Sequence, residues 1–494
     1  MRFFSACLSG LLLAASAHGQ ALRLKSRVPL HHEERIAASG HYILQFRSFP
    51  GRTIRDQLAQ RNIRVLGYVP DSGLMVSAAG PTDLDGLDVA LTGSLDPAAK
   101  ISPVLAELSY SANLVIFYSD VPMDRARDIL VAEGFRILEN ASMLPGQWVV
   151  SGSYDGLQAL ASHDEVAYIM PASADLVSGN VVWGCAGAMT EAGVIGDYVE
   201  VGHGWSKDAN GSVGLRYVFD SMTNKLEGSG VRGEIDRAFA EWSKYSNVTF
   251  AANDAGTATD ARTVAIQFAS RAHGDPYPFD GPGGVLAHTF YPAPPNAEPV
   301  AGDMHFDADE DWHIGTNIDL FSVALHEAGH ALGLGHSDRP GSVMYPYYRM
   351  STGLTSDDIA GIQDLYGAKG PSTQPLPTQP PSSPTAPPAT PAAPSPPSGS
   401  PGGDTVPPAV QILSPGGTIV SVGTTTIHIT GTASDNVGLS AVKYNTSSGD
   451  TGTATGTTSW TADVPLLIGT TVVTIRAYDA AGNSGWRAIT VVRH

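Results

Sequence analysis

Cysteine is nearly absent from this chain of 494 residues: only Cys7 and Cys185 occur. Cys7 lies in a leader expected to be removed, so one thiol remains and no intrachain disulfide is available to the mature chain. Basic residues are also scarce, 29 Lys and Arg against 48 Asp and Glu, for a net charge of −19. A field of that sign repels polyphosphate and excludes a nucleic-acid partner. Beyond a short apolar stretch from Phe3 to Ala15, no run approaches the roughly 20 apolar residues needed to cross a bilayer, so no transmembrane anchor is expected. Charged residues are only 16% of the chain while hydrophobic ones are 42%, which excludes wholesale disorder.

What is present is length enough for three or four domains at roughly 100–200 residues each. Arg2, the apolar run and the small residues Ala17 and Gly19 form a secretory signal over 1–19, with cleavage before Gln20. The product is therefore expected outside the cell. From Pro371 to Pro401 more than a third of the positions are Pro, and 370–404 reads as an extended linker. Residues 405–494 alternate apolar and polar in short runs between glycine-rich turns, the pattern of an all-β sandwich.

Residues 20–185 hold one pattern twice, at about 41–103 and 112–173. Each copy reads β-α-β-β-α-β, the ferredoxin-like order; in the first, the second helix is expected over Leu84 to Leu91. The order and its place behind a signal resemble the propeptides of secreted proteases, subtilase-type ones especially. A pair of binding or dimerisation modules is the competing reading.

The chemistry concentrates in 200–369. His326-Glu327-Ala328-Gly329-His330-Ala331-Leu332-Gly333-Leu334-Gly335-His336 spells H-E-x-x-H-x-x-G-x-x-H. Positions four apart share a helix face, so His326 and His330 can serve one zinc, and Gly333 lets the chain turn back to bring in His336. Three neutral ligands leave a position for water, and Glu327 is placed as its general base. A short step beyond His336, Ser342-Val343-Met344-Tyr345-Pro346 follows.

With that methionine turn the segment resembles the metzincins, and Ser337 with Pro346-Tyr347-Tyr348 places the resemblance in the matrixin, or matrix-metalloproteinase-like, branch. The resemblance implies an α+β catalytic domain with a mixed twisted sheet and three helices. It implies a floor under the zinc from Met344, and a substrate cleft built by the edge strand at Leu286 and Ala287 and by Leu325, Pro346, Tyr347 and Tyr348. His273, Asp275, His288 and His305 make a complete four-ligand set, which suits a closed structural zinc. By resemblance, Asp280, Asp307 and Glu310 with the carbonyls of Gly281, Gly283 and Val285 hold calcium. A further calcium set is incomplete, with Thr263 where an Asp is expected and only Asp303 in place. Two zinc ions and at least one calcium are the expected cofactors. Asp357 and Asp358 either cap the last helix or prop the methionine turn. The terminal sandwich resembles the immunoglobulin-like modules of bacterial exported enzymes, its expected partner a surface or matrix ligand.

These expectations compose a secreted zinc endopeptidase made as a zymogen, acting on extracellular proteins or peptides with its own propeptide as intramolecular inhibitor. The alternative is a catalytically inactive metzincin-fold adhesin or binding protein. Cys185 is the candidate latency switch, standing before Trp205 and His326 at spacings similar to those of the matrixin propeptide cysteine. Its flanks lack the P-R-C-G-x-P-D pattern. Three readings stay open: a thiol that caps the zinc, a carboxylate or steric block, and a structural cysteine.

Overall fold

In the computed structural model the described residues are 22–26, 28–33, 35–107, 110–180, 183–199, 204–253, 255–369, 408–416, 419–446, 451–466, 469–480 and 484–493. The signal expected at 1–19 and the linker expected at 370–404 lie outside them. The chain divides into two units, Met1–Lys369 and Gly370–His494. No helix among the described residues is long and apolar enough to cross a membrane.

The first unit begins with a seven-stranded sheet in the order His31–Glu33, Val89–Ser94, Gly40–Phe46, Gly73–Ala78, Ile63–Val69, Gly193–Ile195 and Met189–Thr190. Helix Arg52–Gln60 connects Gly40–Phe46 to Ile63–Val69. The helix expected over Leu84 to Leu91 does not form. Asp83 accepts from the Asp85 N–H in a local turn, and Gly86 (φ 82°) and Asp88 (φ 56°) are left-handed, so the chain bends into strand Val89–Ser94 instead. A four-stranded antiparallel sheet follows, in the order Arg136–Leu138, Gln147–Ser151, Asn113–Phe117 and Val166–Pro171, with helices Met123–Ala132 and Tyr154–Ala161. Leu114, Val149 and Met170 join the core of the first sheet, while Val115, Val150 and Ile169 pack with Leu130 and Leu160 of its own helices. This is the alternation of faces that strands impose.

The third sheet has the order Val248–Ala252, Val213–Phe219, Thr263–Ala269, Met304–Asp307 and Ala287–Thr289. Its pairings are parallel except for the last strand, which is antiparallel and forms the edge. Helix Gly228–Tyr245 buries Val231, Ile235, Ala238, Phe239 and Trp242 against helix Leu320–Ala331, a stripe at helical spacing. The Trp242 indole donates to the Leu325 carbonyl at 2.9 Å. Helix Ser356–Tyr366 closes this part behind a capping box of Thr355 and Asp358.

The second unit has a three-stranded sheet (Ala409–Ser414, Thr426–Ser434, Ser459–Pro465) and a five-stranded one (Ile419–Val422, Ser484–Arg493, Gly469–Asp479, Leu439–Thr446, Thr451–Thr453). Val410, Ile429, Trp460 and Val464 of the first meet Val442, Val473, Ile475 and Val491 of the second in one core.

Candidate active site and second metal centre

Helix Leu320–Ala331 is buried along its whole length and carries His326, Glu327 and His330. Gly333, at φ 101°, turns the chain after it; a Cβ there would stand 2.9 Å from the Gly204 Cα. The return brings in His336, and the ligand atoms of Cys185, His326, His330 and His336 all lie within 4.8 Å of one another. The Nδ1 atoms of His326 and His330 donate to the Val343 and Leu334 carbonyls at 2.7 and 2.8 Å. Their Nε2 atoms, 3.1 Å apart, therefore turn inward. Burial pushes His326 down to about 3 and His330 well below the usual histidine range, so both are neutral, the form that binds a metal. His336 Nε2 is buried with no hydrogen-bond partner. An inward lone pair without a donor fits a metal-ligand position. Burial raises the Glu327 carboxyl to about 7, against the hydrogen bond it accepts from the Thr289 hydroxyl at 2.7 Å.

Met344 packs against the helix that carries His326 and His330. A Cβ at Gly329 would come 2.3 Å from its sulfur, so a larger residue there would push the methionine side chain aside. Asp358 holds that turn, accepting from the Val343 and Met344 amides at 3.0 and 3.1 Å and from the Ser342 hydroxyl, while also capping its own helix. Both expected roles of Asp358 are thus filled by one carboxylate. Asp357 accepts from the Ser337 hydroxyl at 2.5 Å.

A cavity of about 30 Å³ beside the cluster is lined by Leu286, Ser322, Val323, His326, Glu327, Pro346, Tyr347 and Tyr348, together with Gly184 and Cys185. Leu325 does not line it. Residues 322, 323, 326 and 327 share one helix face, and Leu325 points away into the core. Ala287, the neighbour of Leu286 along the edge strand, is also buried in that core.

Cys185 enters on an extended segment. Gly184 donates to the Gly284 carbonyl at 2.9 Å, Cys185 to Pro346 at 2.8 Å, and Tyr348 donates to Trp183 at 2.7 Å. Gly184 pairs parallel with Val285 and antiparallel with Tyr347, and Met189 pairs parallel with Phe290. The thiol sits 3.5 Å from His330 Nε2. Burial pushes it well above the usual thiol range, and the nearby Glu327 adds to that; a divalent cation reverses such a preference. The residues before 204 also grip the pocket wall. Tyr345 donates to the Pro171 carbonyl at 3.0 Å and accepts from the Ser173 amide at 3.2 Å. Tyr347 donates to Gln147 at 2.8 Å and accepts from the Leu144 amide at 3.1 Å. Asp338 receives Lys25 Nζ, Ser102 Oγ and Tyr168 OH, each at 2.6 Å. Nothing in the local sequence signals these contacts, which join residues 170 or more positions apart.

The second centre gathers His273, Asp275, His288 and His305, again within 4.8 Å. Asp275 Oδ2 lies 3.0, 3.0 and 2.8 Å from ring nitrogens of the three histidines. Burial opposes its charge, but hydrogen bonds from His288 and His305 hold it well below the usual carboxylate range. The expected calcium residues behave differently. Among the described residues only the two groups above converge as metal sites, and Asp280, Asp307 and Glu310 do not form a third. Their carboxylates clasp the loop instead: Asp307 accepts from the Gly281 amide at 3.2 Å, Glu310 from Gly283 at 2.7 Å and Asp280 from Val285 at 3.3 Å. Burial and the neighbouring carboxylates push Glu310 up to about 7.

Comparison with known proteins adds a family to this geometry. Residues 204–367 match the Matrixin family. The matched segment is about a third of the chain. The H-E-x-x-H helix and the turn at Met344 both fall inside the matched residues. The chain is 41% identical over 169 residues to matrix metalloproteinase-25 of Mus musculus, covering 32% of this chain and 27% of that one. It is 42% identical over 178 residues to neutrophil collagenase of Homo sapiens (34% and 36%), and 40% identical over 183 residues to karilysin of Tannerella forsythia (36% and 37%). The chain thus spans only about a third of the length of these relatives. Residues 15–92 match a domain of unknown function (DUF8729), which overlaps the first repeat and brings no activity with it.

Proposed function

We propose that the chain is an exported zinc endopeptidase made as a latent precursor, cleaving extracellular proteins or peptides. The observation that carries the proposal is the fourfold convergence of His326, His330, His336 and Cys185 beside Glu327. The three imidazoles would hold the catalytic zinc, which supplies a lowered water pKa and polarisation of the scissile carbonyl. Glu327, raised toward neutrality and braced by Thr289, takes a proton from the attacking water and returns it to the leaving amine. The edge strand Ala287–Thr289 offers main-chain groups to an extended substrate, and the apolar cavity beside Tyr347 and Leu286 receives the side chain after the scissile bond.

Residues 20–185 act as the inhibitory propeptide. Strand order in the four-stranded sheet, and in the middle of the seven-stranded one, supports reading both as ferredoxin-like repeats, the first without its second helix. Cys185 is the latch, its thiol at the fourth corner of the cluster and its backbone stitched to both walls of the cleft. Main-chain bonds and the edge contact of Trp183 on Tyr348 (5.9 Å, 84°) stand in for the absent Arg and Asp flanks. His273, Asp275, His288 and His305 hold a structural zinc, and the buried carboxylates around Gly281 and Gly283 favour a calcium ion that would relieve their mutual repulsion. The two facing sheets of 408–493 support an immunoglobulin-like module with a surface or matrix ligand, joined by the linker of 370–404. Casein cleavage by the processed protein, abolished by a zinc chelator, tests the activity; the amino-terminal sequence of protein recovered from culture medium tests export and maturation. Retention of the full chain inside the cell, or no cleavage by the zinc-loaded protein, would refute the reading.

A further inference from the structure

The three histidines of the candidate active site are not held alike. His326 and His330 lean on carbonyls of their own domain, Val343 and Leu334. His336 Nδ1 instead faces a carboxylate, Asp197 Oδ1 at 2.9 Å, which lies upstream of the matrixin match. Both side chains are well covered, 6% exposed for His336 and 16% for Asp197. Asp197 is held in place from two sides. Strand Gly193–Ile195 just before it pairs with Ile63–Val69 of the seven-stranded sheet. The hairpin partner at Met189 is tied to the Tyr291 amide at 2.9 Å and to the Asn296 side chain at 2.8 Å.

We infer that Asp197 is a positioning residue for the metal, fixing His336 with its Nδ1–H turned to the carboxylate and its Nε2 lone pair turned to the cluster. The orphaned state of His336 Nε2 is the independent sign that this atom awaits a ligand. A carboxylate behind a ligating imidazole sets its tautomer and orientation, and losing such a partner typically costs about 10–100-fold in metal affinity. Here the partner comes from outside the domain that binds. Cys185 and Asp197 then place a ligand and a ligand's support on one short stretch of chain, so metal retention depends on that stretch twice.

The inference rests on the metal reading of the His326, His330 and His336 cluster, and its test separates the two. Full-length protein is titrated with Co²⁺, whose thiolate charge-transfer absorption reports the Cys185 site and not the second centre. The parent should show the band. Asp197→Ala should need about 10–100-fold more Co²⁺ to reach it, whereas Asp197→Asn, which keeps an acceptor oxygen, should stay within about threefold. In a His336→Ala background the Asp197→Ala change should have no further effect, an outcome that a general loss of fold would not give. Equal titrations for parent and Asp197→Ala overturn the role of Asp197 alone. No band in the parent overturns the metal reading with it. If the alanine protein does not fold, Asp197→Ser makes the same comparison, and an asparagine variant as weak as the serine one overturns the inference.

Discussion

The two histidine clusters use nearly the same side chains and differ in where their ligands originate. At the second centre all four residues fall between His273 and His305, inside one stretch of the segment that matches the Matrixin family. At the first, three come from that segment and the fourth, Cys185, from one that precedes it. A shell assembled from one continuous stretch cannot be opened without unfolding it. A shell completed by a separate segment opens when that segment leaves. On the proposed function, this difference is what would separate a structural site from a latent catalytic one.

The largest effect is expected from replacing Glu327 with Ala, which should lower peptide hydrolysis by about 10²–10⁴-fold while metal content stays at the parent level; that outcome would locate the chemistry at the openable site. Cys185→Ala in the full-length chain should raise activity or self-processing by about tenfold or more, because a tethered ligand acts at an effective concentration in the millimolar range. Latency unchanged in that variant, with the fold intact, would remove the thiol from the mechanism. His288→Ala should act in the opposite sense: one metal ion lost, no gain in activity, and a lower unfolding temperature, the native state forfeiting up to about 4 kcal/mol of linkage at metal concentrations a thousandfold above Kd. A smaller effect is expected at Gly184, where a Cβ would meet Leu144 at 2.8 Å. Gly184→Val should weaken the pairing with both cleft walls and shorten the latent period without altering the activity finally reached.

The smallest effect is one of pH. His41, in the first sheet, lies between Asp164 (2.6 Å) and Asp120 (3.0 Å), is stacked on Tyr118, and has Lys100 near the same carboxylate. Burial disfavours its charge, but the two aspartates outweigh it and hold its pKa above 6.5, while Asp120 and Asp164 are held below the ordinary carboxylate value. The imidazolium contribution is therefore complete below about pH 6.5 and fades as pH rises through the raised value; the aspartate contribution fades as pH falls toward the acid range. Denaturant unfolding should show the contact between the first two sheets weakening as pH rises above about 6.5, and His41→Gln should abolish that slope. An identical slope in the variant would assign it elsewhere.

How much of this was legible in the sequence depended on chain distance. His326, Glu327 and His330 lie on one helix, where a period of 3.6 residues settles which side chains meet, and the spacing to Met344 is short enough to form a motif. The four residues of the second centre stood out because three histidines and an aspartate crowd into the short span 273–305. Leu325 shows the limit of composition: an apolar neighbour of the ligands reads as pocket wall until the helix phase turns it inward. Leu84 to Leu91 shows the limit of periodicity, since apolar spacing carried no warning of the left-handed residues at Gly86 and Asp88. Asp197, Thr289 and Asp338 carry no local signature at all. Each matters through partners 38 to 313 positions away, and such pairs exist only once the chain has folded.

The tyrosines of the pocket wall have a consequence for how such a protein changes over generations. Tyr345 and Tyr347 are held by Pro171, Ser173, Gln147 and Leu144, and the Tyr348 amide by Trp183. A mutation that reshapes the wall to accept a new side chain also alters the surface on which the residues before 204 rest. On the proposed function, substrate preference and self-restraint would thus be inherited together: a variant with a new appetite would also fit its own leash less well. The leading third of the chain should therefore carry compensating changes whenever the cleft does, and serve as a cast of the pocket it covers.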